Sequence, residues 1–303
     1  MHTTSQLLSN CILCPRQCGV DRTSGQTGYC GMPESLLVAR AALHMWEEPC
    51  ISGSTGSGTV FFSGCNLKCV FCQNHSIALG ACGKPITVQR LAEIFLELQE
   101  KKATNINLVT PTHYIPQIRD ALLLAKKNGL TLPIVYNTGN YESVASLRLL
   151  DGLIDIYLPD LKYYSTELSS QYSHAADYFQ VATKALAEMY RQVGAPILDQ
   201  TSGMMKRGMI VRHLLLPSQT KDSKKILRYL YETYGDNIYI SIMNQYTPLT
   251  HVKNYPELNR KVSTEEYDKL VSFALRLGIT NAFIQEGETA EESFIPPFDM
   301  EGA

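Results

Sequence analysis

From residue 59 onward, short apolar runs of β character alternate with longer helical patterns. The runs are TVFFSG (59–64), INLVT (106–110), PIVYNT (133–138), IDIYLPDL (154–161), MIVRHLLLP (209–217), IYISIMN (238–244) and NAFIQE (281–286). Between them, TVQRLAEIFLELQEKKA (87–103) is apolar at 88, 91, 94, 95 and 98 and closes on lysines, as an amphipathic helix with cations at its C-terminus does. YIPQIRDALLLAKKNG (114–129) ends in Gly129, and STEEYDKLVSFALRLG (263–278) opens with a Ser-x-x-Glu capping box. Strands alternating with helices of this length predict βαβ units on a parallel sheet. Six or more such units predict an α/β fold, a full or partial β/α barrel. Residues 1–50 read as an irregular cysteine-rich segment, and ISGSTGSG (51–58) as a loop or short linker into the barrel, which takes up 51–303.

The chemistry is concentrated where a barrel carries its active site, on the loop after the first strand. SGCNLKCVFCQNHS (63–76) places Cys65, Cys69 and Cys72 in the spacing C-x3-C-x2-C, with His75 three residues further on. A structural zinc site takes four protein ligands, and so does an ordinary iron–sulfur cubane. Either His75 completes a zinc site, or the three thiolates hold three irons of a [4Fe–4S] cluster and leave the fourth open. An open iron can be chelated by the amino and carboxylate groups of S-adenosylmethionine (SAM), whose reductive cleavage yields a 5′-deoxyadenosyl radical. The position after the first barrel strand favours the cluster.

Charge and cysteine usage fit this reading. Lys plus Arg (27) nearly balances Asp plus Glu (29), so no global field recruits nucleic acid or an anionic membrane. The first ten residues lack the pattern of a signal peptide, and no apolar run approaches the roughly 18 residues of a membrane span. The expectation is a soluble, cytoplasmic chain. Nine cysteines in a reducing compartment point to metal rather than to disulfides. Seven of them fall into two tight groups. Cys50 and Cys82 stand apart and read as small buried or half-buried residues.

GCNLKCVFCQN, with Gly64 before the first cysteine, Phe71 before the third and Asn74 after it, resembles the signature of the radical SAM superfamily. The resemblance spans roughly 36–300 and is to proteins like the pyruvate formate-lyase-activating enzyme. HMWEEPCISGSTGSGTVFFSGCNLKCVFCQN, INLVTPTH and FIPPFDMEG are similar to a branch of that group. It implies a partial (β/α)6 barrel and hydrogen abstraction from a substrate, a glycine of a glycyl radical enzyme or alternatively a small molecule or peptide. An electron donor such as flavodoxin or ferredoxin is the expected partner. Phe71 is then expected beside the adenine.

The family's Gly-Gly-Glu motif for the SAM amino group is replaced here by VTPTH (109–113), so Thr110 and Thr112 are the expected substitutes. PDLK (159–162) resembles an Asp-x-Lys on the fourth strand. Strand alternation puts Asp160 and Lys162 on one face, the lysine toward the SAM carboxylate and the aspartate orienting it. Arg212 alternates with Ile210 and Leu214 and so points inward. Its partner is a SAM carboxylate or ribose, or else Asp160 in an internal salt bridge. Asn137 and Thr138 are ribose contacts or turn residues. His113, Asn244, Gln245 and Tyr246 belong to the substrate pocket or to caps and turns.

CILCPRQCGVDRTSGQTGYCG (11–31) spaces Cys11, Cys14, Cys18 and Cys30 as C-x2-C-x3-C-x11-C, a complete set for zinc or a second iron–sulfur cluster. HMWEEP (44–49) is either a surface over the pocket mouth or a solvated turn. The tyrosines around 157–190 and 229–246 serve packing. The tail SFIPPFDMEGA (293–303) is barred from regular helix by its paired prolines and folds over the barrel as a lid or strap. The rival readings are a zinc-stabilised binding protein and an electron carrier with two clusters.

Overall fold

The computed structural model describes residues 3–285 and 296–303; Glu286 of the last expected strand and residues 293–295 of the expected strap lie outside them. Among the described residues one sheet of ten strands organises the fold. In chain order these are β1 (Leu36–His44), β2 (Ser57–Phe62), β3 (Lys84–Ile86), β4 (Ile106–Val109), β5 (Ile134–Thr138), β6 (Ile156–Pro159), β7 (Ile197–Leu198), β8 (Met205–Leu214), β9 (Tyr239–Met243) and β10 (Ala282–Ile284). The seven expected strands are all present, and they pair in parallel in the order β2, β4, β5, β6, β8, β9, β10. Helices Val88–Glu100, Ile115–Lys127 and Thr264–Leu277 fall where the sequence pattern puts them, the last with its Ser263–Glu266 capping box formed.

The first fifty residues are not uniformly irregular. Leu36–His44 is a nine-residue strand running antiparallel to β2, with Val38 opposite Phe62 and His44 opposite Ser57. Its sequence, LLVARAALH, lacks the clean period-two alternation that marks a strand. The expected linker 51–58 also shrinks, because Pro49–Ser52 is a helical turn and β2 begins at Ser57. Residues 296–303 form a strap: Met300 N–H donates to Ala39 O (2.9 Å) and Ala41 N–H to Glu301 O (2.8 Å) along β1, and Arg40 pairs with Asp299 at 2.7 Å.

Period-two alternation sorts the strand side chains into two layers. Ile134, Tyr136, Tyr157, Met209 and Val211 point outward into the main core beneath the helices. Val135, Ile156, Leu158 and Ile210 point inward and pack with Cys50 and Ile51. Because β1 is antiparallel, the turn carrying those two residues lies at the N-terminal ends of the parallel strands, where it plugs the barrel floor. Thr104 Oγ1 and Asn105 Nδ2 both donate to Ile51 O (2.7 and 2.8 Å) and hold it there. Two residues further along each strand the inward positions turn polar: Asn137, Asp160 and Arg212. That switch marks where core ends and site begins.

Candidate active site

A cavity of about 240 Å3 opens above the plug, lined by Cys65, Cys69 and Cys72 at one end and by Asp160, Lys162 and Arg212 further in. Gly64 turns the chain into the cysteine loop with φ +87°, and a Cβ there would stand 2.3 Å from Met32 Cγ and 3.0 Å from Cys30 O. Lys68 also takes a left-handed conformation, φ 52°. The resulting loop offers donors to its own sulfurs. Leu67 N–H points at Cys65 Sγ (3.4 Å), and the Ser173 hydroxyl donates to Cys69 Sγ (2.9 Å). Burial raises the Cys69 thiol, with Lys162 opposing, and burial raises Cys72 as well, with the neighbouring Cys69 and Cys65 adding to it. Two buried thiols with raised pKa that share a cavity wall with Cys65 need a positive core to become thiolates together. Among the described residues no three or more His, Cys, Asp or Glu side chains already stand as a site for a single metal ion. The donor set fits a [4Fe–4S] cluster, whose ligands spread around several irons, and the hydrogen bonds to sulfur suit it.

His75, the zinc alternative's fourth ligand, is turned aside. Its ring stacks on His251 with centroids 4.2 Å apart. Phe71 is likewise drawn into packing, edge-on to Tyr163, Tyr172 and Tyr246. The tyrosines do form that packed cluster.

Deeper in the cavity a chain of charges crosses four strands. Lys162 Nζ donates to Asp160 Oδ2 (2.5 Å), and Arg212 Nε donates to Asp160 Oδ1 (3.2 Å). Arg212 also donates to Asn137 Oδ1 (2.6 Å) and to Glu47 Oε2 (3.1 Å). Glu47 Oε1 accepts from Asn107 Nδ2 (2.8 Å) and Asn137 Nδ2 (3.2 Å). Burial alone would raise the Asp160 carboxyl, but Lys162 and Arg212 outweigh it and hold it below the usual carboxylate range. Burial would lower Lys162; Asp160 reverses that and raises it. Glu48, beside them, is raised by burial against the pull of Arg212. The internal salt bridge weighed for Arg212 is therefore present, and Lys162 is the cation whose head remains toward the cysteine end.

Glu47 is the residue sequence reasoning missed. Of the two alternatives for HMWEEP, the surface over the pocket mouth holds: Trp46 and Glu47 line the cavity, with Trp46 61% exposed and the Glu47 side chain only 8% exposed. Nothing local signals this, because the turn reaches the cavity only once β1 is recognised as a strand. Thr110 and Thr112 do line the cavity. Thr110 has φ +58°, a conformation β-branched residues rarely adopt and one that clusters at functional sites. Behind them, Glu142 accepts hydrogen bonds from the Thr112 (2.6 Å) and Thr138 (2.5 Å) hydroxyls. Gln245 lines the cavity, whereas Tyr246 is buried with its hydroxyl on Leu258 O, and His113 points its Nε2 at Ser63 O. Cys50 is buried and Cys82 half-buried.

Comparisons with known proteins agree with this geometry. Residues 51–156 match the family profile described as a 4Fe-4S single cluster domain. The uncharacterized protein MJ0674 of Methanocaldococcus jannaschii is 30% identical over 278 residues, covering 88% of this chain and 75% of that protein. The chain belongs to one family with that archaeal protein. The stretch matched by the family profile contains the loop of Cys65, Cys69 and Cys72. The fold is similar to that of Streptococcus suis SuiB, solved bound to S-adenosylmethionine and, separately, to the precursor peptide SuiA. The TM-score is 0.50 in both, at 11% and 12% identity over 73% of this chain. The chain spans about half of SuiB, 46% and 48% in the two structures. Among the described residues no helix is long and apolar enough to cross a membrane.

Proposed function

We propose that Cys65, Cys69 and Cys72 hold the cluster, that SAM lies along Thr110, Thr112, Asn137, Asp160 and Lys162, and that the enzyme takes hydrogen from a peptide-backbone substrate. The observation that carries this is the single cavity joining the three cysteines to the Asp160–Lys162–Arg212 chain. When bound, the cluster supplies one electron that cleaves SAM and so generates the hydrogen-abstracting radical. Lys162, held by Asp160, meets the SAM carboxylate. Arg212 works one step behind it, fixing Asp160 and Asn137. The hydroxyl of Thr112, oriented by Glu142, and the strained carbonyl region at Thr110 stand where the amino group needs acceptors.

The remaining wall favours a polypeptide. Gln73, Asn74, Gln245 and Trp46 line the cavity, and side-chain amides with an aromatic ring match the donors and acceptors of an extended backbone. Two substrates share that chemistry: a glycine of a glycyl radical enzyme, which the activating-enzyme resemblance favours, and a free peptide, which the likeness to peptide-bound SuiB favours. A flavodoxin or ferredoxin would supply the electron. The test is anaerobic reconstitution with iron, sulfide, SAM and a strong reductant, followed by quantification of 5′-deoxyadenosine. Glycine-deuterated peptides should pass deuterium into it. A fully loaded cluster that never cleaves SAM, with or without peptide, refutes the proposal.

A further inference from the structure

Arg22 is 1% exposed, yet its guanidinium meets no carboxylate among the described residues. Nη1 donates to His113 O (2.6 Å), Nη2 and Nε donate to Pro33 O (2.7 and 3.2 Å), and Nη1 approaches Cys11 Sγ at 3.9 Å. A buried cation supported only by neutral groups is costly, so a negative charge is owed to this place. Two of the four N-terminal cysteines lie beside it, Cys11 at 3.9 Å and Cys30 within electrostatic reach. Cys30 lies within electrostatic reach of Cys11 and Cys18, and Cys14 of Cys30. Backbone amides already aim at three of the sulfurs: Tyr29 N–H at Cys18 (3.3 Å), Arg16 N–H at Cys14 and Met32 N–H at Cys30. Gly28 lets the chain pass Cys18 closely, since a Cβ there would lie 2.7 Å from its Sγ.

From the buried Arg22, which lacks a carboxylate partner, we propose that Cys11, Cys14, Cys18 and Cys30 bind a [4Fe–4S] cluster whose charge compensates it, and that this cluster braces the SAM site. No group of the described residues stands ready for a single metal ion, and four thiolates around a [4Fe–4S]2+ core leave two net negative charges. The bracing runs through two arginines. Arg22 holds the carbonyl of His113, next to Thr112. Arg16 donates to Asn66 O inside the cysteine loop (2.9 Å) and to Ser173 O (3.2 Å), whose own hydroxyl reaches Cys69. Loading the N-terminal centre thus fixes both loops that the proposed SAM site depends on, and this role rests on that reading of the cavity.

The test uses the full chain with Cys69→Ser, which removes the SAM cluster and isolates the N-terminal centre. Metal analysis and Mössbauer spectra of this variant should find one cubane of four irons per chain. A Cys69→Ser chain that holds zinc in place of iron, or that takes up no iron and sulfide when offered, overturns the proposal without touching the radical SAM reading. In the otherwise native chain, Cys11→Ser/Cys18→Ser should weaken SAM binding by roughly tenfold or more, with the first cluster still visible by electron paramagnetic resonance. Adding Arg22→Met to that variant should restore part of its thermal stability, because the orphaned cation is gone. Unchanged SAM affinity on loss of the extra metal refutes the bracing role.

Discussion

Replacing Asp160 with Asn tests whether the charge chain of the cavity is a coupled unit. Asp160 is the shared acceptor of Lys162 and Arg212. Arg212 keeps Glu47 in the variant, but Lys162 loses its only carboxylate partner among the described residues. Removing one member of a buried pair costs about 3–5 kcal/mol. Here the side chains of Asp160 and Lys162 retain 16% and 18% of their exposure toward the cavity, so the low end applies, about 3 kcal/mol. That corresponds to a melting-temperature drop of roughly 5–10 °C for a chain of this size. The cost should be smaller once the cluster is loaded, because thiolate at Cys69, which lies near Lys162, then supplies negative charge. Differential scanning fluorimetry of the cluster-free and reconstituted forms gives both numbers. Adding Lys162→Met should recover most of the loss in the cluster-free form, as an apolar replacement leaves no orphaned charge. If the two single costs simply add, the pair is not coupled and the argument for Lys162 as a positioned cation fails.

Gly64→Ala should lower both stability, by about 2–4 kcal/mol, and iron content, because it combines a left-handed backbone with a contact against Cys30 O that cannot relax; a variant that melts and loads like the parent contradicts this. Ser173→Ala removes the hydroxyl donor to Cys69 and should move the cluster's reduction potential to more negative values in an electrochemical titration, with SAM affinity little changed. His113 is held to about 3 by burial, with Arg22 adding to the effect. Its folded value lies below its unfolded one, so the neutral ring contributes stability that is full above about pH 6.5 and is lost as pH falls toward 3. Between pH 6.5 and 5, before most carboxylates titrate, His113→Gln should flatten the fall in stability of the metal-free chain by up to about 1.4 kcal/mol per pH unit. An unchanged slope would mean that the ring takes up its proton in the folded state.

The two kinds of residue in this site were unequally legible. Asp160, Lys162 and Arg212 could be assigned an inward direction from strand periodicity alone, since side chains two apart share a face. Cys65, Cys69 and Cys72 were legible because a fixed short spacing after a strand leaves little conformational choice. Glu47 and Arg22 were not, for one common reason. Each is a charged residue in a stretch without periodicity, and its burial depends on where a distant strand or loop lies. Glu47 is carried under Arg212 by β1, which runs antiparallel to the barrel and brings its C-terminal end to the barrel floor. Arg22 is buried by the loop ending at His113. Buried charges are stable only with partners, and both residues display that rule in complementary ways. Glu47 finds Arg212 and two asparagine amides, and the charge chain of the cavity is closed. Among the described residues Arg22 finds carbonyls, a thiol and the face of the Tyr114 ring but no carboxylate, which is why the cysteines beside it are the place to look for the missing charge.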